Sequence, residues 1–386
     1  MSSVIVYRKH KVHTQNVIEE IEGVLGRLNT GLEARLNKGE EAGEKGVIID
    51  GSDLMARFST DLIYSCFYKQ YNLIDYLSDV DPQSALIEEG LNGVRHPFCE
   101  ISMILPILRP IIAKLVNYFH EFGYMKRKLM HFIKQQTALN LQARQEMALA
   151  RQAGVTVDPN NFKLSDGRVF KHNMADAFID SYHEGKITKN EYLNTSLFFI
   201  LAGVKTVADA LAQMLYYLAA NQRAQQVLRE SLARDGLECE YLSWFINEVL
   251  RLTAPVSLGS TRRAERDIKV EDGVVPKGTV VFTHAWTIHR LPEYWGEDAN
   301  QFRPERWADA DKFHPAQYIP FGGGLRGCPG KEFALLTMRK FAVALLARYK
   351  VERCIMTSDS PLFQSPLFIY RVSEIPVYVR LQRLSA

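Results

Sequence analysis

The sharpest chemical feature of the sequence is the decapeptide Phe321-Gly-Gly-Gly-Leu-Arg-Gly-Cys-Pro-Gly330. Its glycines surround one cysteine, Cys328, directly ahead of a helical stretch. Such a turn can hold the sulfur with backbone N–H groups aimed at it. N–H donors and a helix N-terminus both favour thiolate over thiol, so the expected effect is a lowered pKa. With no second Cys or His close by, the loop cannot build a tetrahedral zinc site. A lone anchored thiolate suits a nucleophile or the single axial ligand of a haem. The competing plain reading is a glycine-rich turn with an incidental buried cysteine. A phosphate-binding loop fits less well, because no Lys-Ser/Thr pair follows the glycines and no strand of parallel-sheet character precedes them.

Further pairs of charges precede the loop. Glu248-Val-Leu-Arg251 places opposite charges at i and i+3 on a helical stretch, where they can meet. Phe302-Arg-Pro-Glu-Arg306 follows, and Ala202-Gly-Val-Lys-Thr206 lies in the middle of a segment apolar on every face. In this order and spacing the motifs resemble those of the cytochrome P-450 haem–thiolate enzymes, of the eukaryotic microsomal type. The decapeptide matches at Phe321, Gly322, Gly324, Arg326, Cys328 and Gly330. The resemblance is close over about residues 174–386, while 1–173 has compatible helical patterning without distinctive motifs.

The resemblance implies haem b as cofactor and Cys328 as its axial ligand. Glu248, Arg251 and Arg306 would form a buried charge network locking the cysteine loop against the core. Arg262, Arg326 and His289 would hold the haem propionates. Ala202 and Gly203 would be the small pair of the oxygen-binding helix, and Thr206 its oxygen-activating hydroxyl. The implied activity is insertion of one atom of O2 into a small apolar substrate, with electrons from an NADPH–cytochrome reductase. Expected substrate contacts are Phe198, Phe199, Val207, Val256, Leu258 and Phe363, each of which has an equally good core reading.

Lys205 departs from the pattern, since an acid normally precedes the threonine and helps deliver protons. Three readings follow. The lysine snorkels to the surface, or the chain rearranges or uses peroxides without a reductase, or Lys205 anchors a substrate carboxylate. A second departure lies at the N-terminus. A membrane anchor, proline-rich hinge, first sheet strands and a Trp-x-x-x-Arg helix are not found, so about the first hundred residues of the fold are expected to be missing. That leaves a third functional reading, a catalytically impaired truncated haem-binding fragment.

These residues need a scaffold, and the expected one is mainly α with small β-sheets: a single cytochrome P-450 domain over 1–386, N-terminally truncated. Helical periodicity marks residues 17–36, 52–66 and 124–153, and an apolar pair interrupted by proline spans 102–118. Residues 154–173 read as a loop, and 188–221 as a central helix beginning at Thr188. Residues 268–271 and 279–284 read as a hairpin around Asp272-Gly273, 331–349 as a helix, and the last segments as a second hairpin.

Composition agrees with a soluble globular chain: 386 residues, 47% hydrophobic, 24% charged, net charge +3. So small a charge, dispersed along the chain, is no nucleic-acid footprint. Five widely spaced cysteines exclude a disulfide framework. Neither a signal peptide nor an uninterrupted apolar run of roughly 20 residues is visible. The resemblance implies the endoplasmic reticulum membrane for a full-length member. This chain, without an anchor, is expected in the cytoplasm with at most peripheral membrane contact.

Overall fold

The structure, a computed structural model, describes residues 13–41, 45–71, 73–77, 81–82, 85–87, 121–159, 161–171, 173–256, 262–354 and 377–384. It is mainly helical with small antiparallel sheets. The chain divides into two compact units, one of residues 1–32 and 56–205 and one of residues 33–55 and 206–386.

α1 (His13–Glu41), whose residues up to 32 belong to the first unit, buries Ile21, Val24, Leu25, Leu28 and Leu32, the stripe its periodicity predicts. Arg27 clamps Asp61 of α2 (Gly51–Tyr68) with two bonds of 2.9 and 2.8 Å, and Tyr76 donates to the same carboxylate. Tyr64 and Tyr68 of α2 pack edge-on against Phe132 of α3 (Glu121–Gln152). The expected loop after α3 contains a small hairpin, β2 (Phe162–Lys163) with β3 (Val169–Phe170). Leu164 and Phe170 there pack on Ala143 and Met147 of α3, and that burial orders a segment whose composition reads as loop. Next comes α4 (Asp176–His183).

The central helix, α5 (Lys189–Ala220), starts on a reciprocal cap. The Glu191 carboxylate accepts from the Thr188 amide at 2.7 Å, and the Thr188 hydroxyl accepts from the Glu191 amide at 3.2 Å. By length and mean hydropathy α5 could cross a membrane, which the interrupted apolar runs do not suggest; 56% of its most apolar window is buried in the protein.

In the second unit, α6 (Gln222–Asp235) and α7 (Glu240–Thr253) lead to strands that pair differently from expectation. β5 (Ile268–Val270) pairs with β6 (Gly273–Val275) across Glu271-Asp272. β7 (Val280–Val281) instead pairs with β4 (Arg262–Arg263). Short helices α8 (Ala285–Ile288) and α9 (Pro292–Trp295) follow, then the cysteine loop and α10 (Lys331–Leu346). The first arm of the expected terminal hairpin, residues 368–372, lies outside the described residues, and the second joins a three-stranded sheet. β9 (Tyr378–Arg383) lies between β8 (Tyr349–Arg353) and β1 (Val47–Asp50), with Val47 opposite Leu381. Gln225 fastens α6 to this sheet, donating to the Val351 carbonyl at 2.7 Å and accepting from its amide at 3.1 Å. The proline-interrupted pair at 102–118 lies outside the described residues.

Candidate functional site

The site is built on α7. Its apolar face, Leu242, Phe245, Ile246 and Val249, goes into the core and carries Glu248 and Arg251 with it, fully buried. Burying these charges is tolerable only with complete hydrogen bonding. Glu248 accepts from Arg251 Nε and Nη2 at 2.9 Å each, Arg306 Nε at 2.8 Å, the Arg303 amide at 3.0 Å and Trp307 Nε1 at 2.9 Å. The remaining N–H groups of Arg251 go to the carbonyls of His289, Ala299 and Gln301, so every donor has an acceptor. Arg306 likewise donates to the carbonyls of Trp295, Asp298 and Gln301. The guanidinium of Arg251 also lies 5.0 Å from the Trp295 ring centroid. Glu248, Arg251 and Arg306 thus meet as one network, fastening the segment before the loop to α7.

Trp307 and Tyr318 belong to this construction and were not among the sequence candidates. Trp307 packs with Trp295 and Ala299, and its indole N–H completes the Glu248 shell. Its place directly after the Phe302–Arg306 motif was an available signal. Tyr318 donates to the Asn247 carbonyl at 3.2 Å.

The loop itself follows from its glycines. Gly322 and Gly324 hold φ of +66° and +63°, backbone that other residues adopt only with strain. The Gly322 amide donates to the Ile319 carbonyl at 3.0 Å, and the Cys328 amide to the Phe321 carbonyl at 2.8 Å. Gly330 caps α10. Cys328 is exposed, and Leu325 is 91% exposed. A Cβ at Gly322, Gly323 or Gly324 would meet nothing within 4 Å, so the loop presents an open face with the sulfur upon it.

The expected lowering of the cysteine pKa is corrected. Loss of water around the sulfur pushes the thiol above its ordinary range, against a hydrogen bond from the Gly330 amide that pulls it down. One N–H donor does not outweigh the desolvation, so the loop positions the sulfur without ionising it.

Arg262 and Arg326 do come together. With Arg263, Glu265 and Lys277 they line an open cleft of about 580 Å³ beside the loop. His289 does not join them, which corrects its expected propionate role. Its ring is fully buried, Nδ1 bonds to the Arg251 carbonyl at 3.0 Å, and Nε2 accepts from the Ile319 amide at 2.9 Å. Both ring nitrogens are occupied by main chain, so none is left for a propionate.

On α5, Gly203 has a reason the motif does not supply. A Cβ there would come within 2.5 Å of Cδ1 of Ile63, so its missing side chain makes room for α2. Lys205 is buried at 8% exposure, which excludes the surface-snorkelling reading. Ala202 and Thr206 are half-buried. Of the expected substrate contacts, Phe199 packs against Phe67 and Phe178, and Val207 is buried. Phe198 is 58% exposed and Val256 half-buried. Leu258 and Phe363 lie outside the described residues.

A family model described as Cytochrome P450 matches residues 11–375. Cytochrome P450 3A29 of Sus scrofa is 28% identical over 324 residues, 81% of this chain and 60% of the relative. Cytochrome P450 3A18 of Rattus norvegicus is 27% identical over 359 residues, covering 86% of this chain and 67% of its own length. Cytochrome P450 3A13 of Mus musculus reaches 34% identity over 177 residues, 42% of this chain and 35% of that protein. The chain thus spans about 60% of the length of the first of these relatives and about two thirds of the second. With the family model covering most of the chain, it belongs to the cytochrome P450 family, whose members bind haem b and act as monooxygenases.

Proposed function

We propose that the chain is a haem–thiolate monooxygenase that inserts one atom of O2 into a small apolar organic substrate, with Cys328 as the axial ligand. The observation that carries this reading is the place of Cys328: exposed, in a glycine turn closed by its amide donating to the Phe321 carbonyl at 2.8 Å. A nucleophilic cysteine needs a base or a cation from the protein to ionise it. A ligand cysteine needs only its place, because the metal deprotonates the coordinating thiol. Among the described residues no cluster of three His, Cys, Asp or Glu could hold a metal by itself, in keeping with a single sulfur donor to a prosthetic group.

The residues present fit haem. The open glycine face beside Cys328 leaves room for a flat ring, and Arg262 and Arg326 in the adjoining cleft would pair with its propionates. Bound there, haem supplies the oxygen chemistry, with electron donation from the thiolate favouring O–O cleavage. The protein's own residues have separate tasks. The Glu248–Arg251–Arg306 lock keeps the sulfur in position, and the Phe321, Gly322 and Gly330 backbone shapes its turn. Thr206 is the hydroxyl that holds and passes a proton, on a helix kept slim at Ala202 and Gly203. Phe198 and Val256, with Leu258 and Phe363, are the apolar contacts for substrate. Electrons would come from an NADPH–cytochrome reductase, and the protein would work at the endoplasmic reticulum membrane.

The buried lysine at position 205 favours a second reading, in which the enzyme rearranges or uses peroxides and needs no reductase. A neutral or acidic neighbour of Thr206 would assist proton delivery, whereas a buried lysine opposes it.

Haem titration of the purified chain tests the first point. A thiolate-type reduced-CO difference spectrum is expected from the unaltered chain and is lost in Cys328→Ser. A free-haem or histidine-type spectrum from both proteins would refute the reading and favour an impaired haem-binding fragment.

A further inference from the structure

His289 is the one sequence candidate that the geometry moves to a different task, and that task extends the reading of the Cys328 site. Its backbone and its ring engage the same residue from opposite sides. The Arg251 guanidinium donates to the His289 carbonyl at 2.6 Å, while the His289 ring reaches the Arg251 carbonyl through Nδ1 at 3.0 Å. Since a carbonyl can only accept, Nδ1 carries the proton. At the far end, Nε2 lies 2.9 Å from the Ile319 amide, which can only donate, so Nε2 carries none. Two main-chain partners thus fix the Nδ1–H tautomer. The ring packs against aromatic neighbours, tilted to Tyr318 at 5.5 Å and edge-on to Trp295 at 6.5 Å between centroids.

We propose that His289 is the positioning residue that connects the charge lock to the ligand loop, by tying the Arg251 carbonyl to the Ile319 amide. From Ile319 the bonds continue into the loop. The Ile319 carbonyl accepts from the Gly322 amide at 3.0 Å, and Phe321, one residue before, accepts from the Cys328 amide at 2.8 Å. The path therefore runs from Glu248 through Arg251, His289 and Ile319 to the peptide that carries the sulfur. Imidazole suits the task because its donor and acceptor sit at opposite ends of a rigid ring. An amide side chain can satisfy one end, and an aromatic hydrocarbon neither. Burial, together with the charges of Arg251 and Arg290, drives the ring's pKa down to about 4, so the neutral form persists over the working range. The inference rests on Cys328 being the functional residue, but its test needs no haem.

Two measurements on the full chain test it. Nitrogen NMR of histidine-labelled protein reads the tautomer directly, with a proton on Nδ1 and none on Nε2 expected for His289. Amide hydrogen exchange in His289→Phe and His289→Gln reads the link. In the Phe variant, exchange at Ile319, Gly322 and Cys328 is expected to rise at least about tenfold, the factor that loss of one hydrogen bond brings. Exchange in α7 and α10 should hold. The Gln variant, whose carbonyl reaches toward the Nε2 position, is expected to recover most of the protection at Ile319. A proton on Nε2, unchanged exchange in the loop, or a uniform rise through α7 and α10 would each overturn the proposal. Should the Phe variant not fold, the tautomer and the Gln variant decide. Failure of haem to bind through Cys328 would leave these readouts intact, so the two proposals fail separately.

Discussion

Replacing Glu248 by Gln tests the lock. The substitution keeps the shape and one acceptor oxygen, but it turns the other oxygen into a donor and removes the negative charge. In either amide orientation an NH2 group then faces N–H donors: Arg251 Nε and Trp307 Nε1 on one side, or Arg251 Nη2, Arg306 Nε and the Arg303 amide on the other. Two guanidinium groups, buried as deeply as the carboxylate they lose, stay behind. Breaking a buried, hydrogen-bonded ion pair costs about 3–5 kcal/mol, because the surviving charge is left uncompensated. That is at least about a fifth of the roughly 5–15 kcal/mol that holds a domain folded.

The sequence supplies its own reporter. Its tryptophans are Trp244, Trp286, Trp295 and Trp307, all within the second unit, and Trp307 bonds Glu248 directly. With a urea slope of about 2 kcal/mol per molar, the fluorescence midpoint should fall by about 2 M. Asp235→Asn, at an exposed pair with Arg234, should leave the midpoint in place. A shift below about 0.5 M for Glu248→Gln would refute the reasoning, since main-chain carbonyls alone would then suffice for both arginines.

Two further predictions concern the first unit and the central helix. Burial raises the Asp176 carboxyl to about 6, against hydrogen bonds from the Asn173 amide and the Asn140 side chain. The folded state therefore binds this proton more tightly than the unfolded chain, and the stability it contributes is present below about pH 4 and lost as pH rises through about 6, on the order of 2–3 kcal/mol. Hydrogen exchange in α4, corrected for its intrinsic pH dependence, should show that slope, and Asp176→Asn should flatten it; an equal slope in both proteins would remove Asp176 as its source. Lys205→Glu should raise reductase-driven turnover by about a hundredfold, the lower end of general acid–base effects. Unchanged turnover with reductase and with peroxide alike would take Lys205 out of the mechanism.

What could be read from the sequence divides by the distance over which it is encoded. The Cys328 loop, the Glu248–Arg251 pair and the α1 stripe are local patterns, in which residue type and spacing carry most of the geometry. Gly203 was legible as a small residue, but the reason for it, Ile63, lies far away in the chain. β1 was missed although Val47-Ile48-Ile49 is β-branched, because a strand that short gains its identity from a partner at the other end of the sequence. The pairing of β7 with β4 was hidden for a similar reason, since a tempting turn at Asp272-Gly273 sits next to it. For His289 and for the Cys328 thiol the error was one of balance. The family resemblance implies a propionate role for the histidine, and N–H groups near sulfur suggest a thiolate. The answer depended on what occupied both ring nitrogens and on how much water the sulfur lost.

The central place of β9 in its sheet sets an order of events during synthesis. β1 and β8 are joined only through β9, which lies far along the chain from β1. Arg383, at its end, reaches back to Glu33 at 2.7 Å. Helical segments of the first unit have partners nearer in the sequence, whereas β1 stays unpaired until β9 has been made. Contacts of such long range are slow to form and leave strand edges bare in the interval. The second unit is therefore where a nascent chain would most need a chaperone, and where a disruption of β9 would unpair two strands at once.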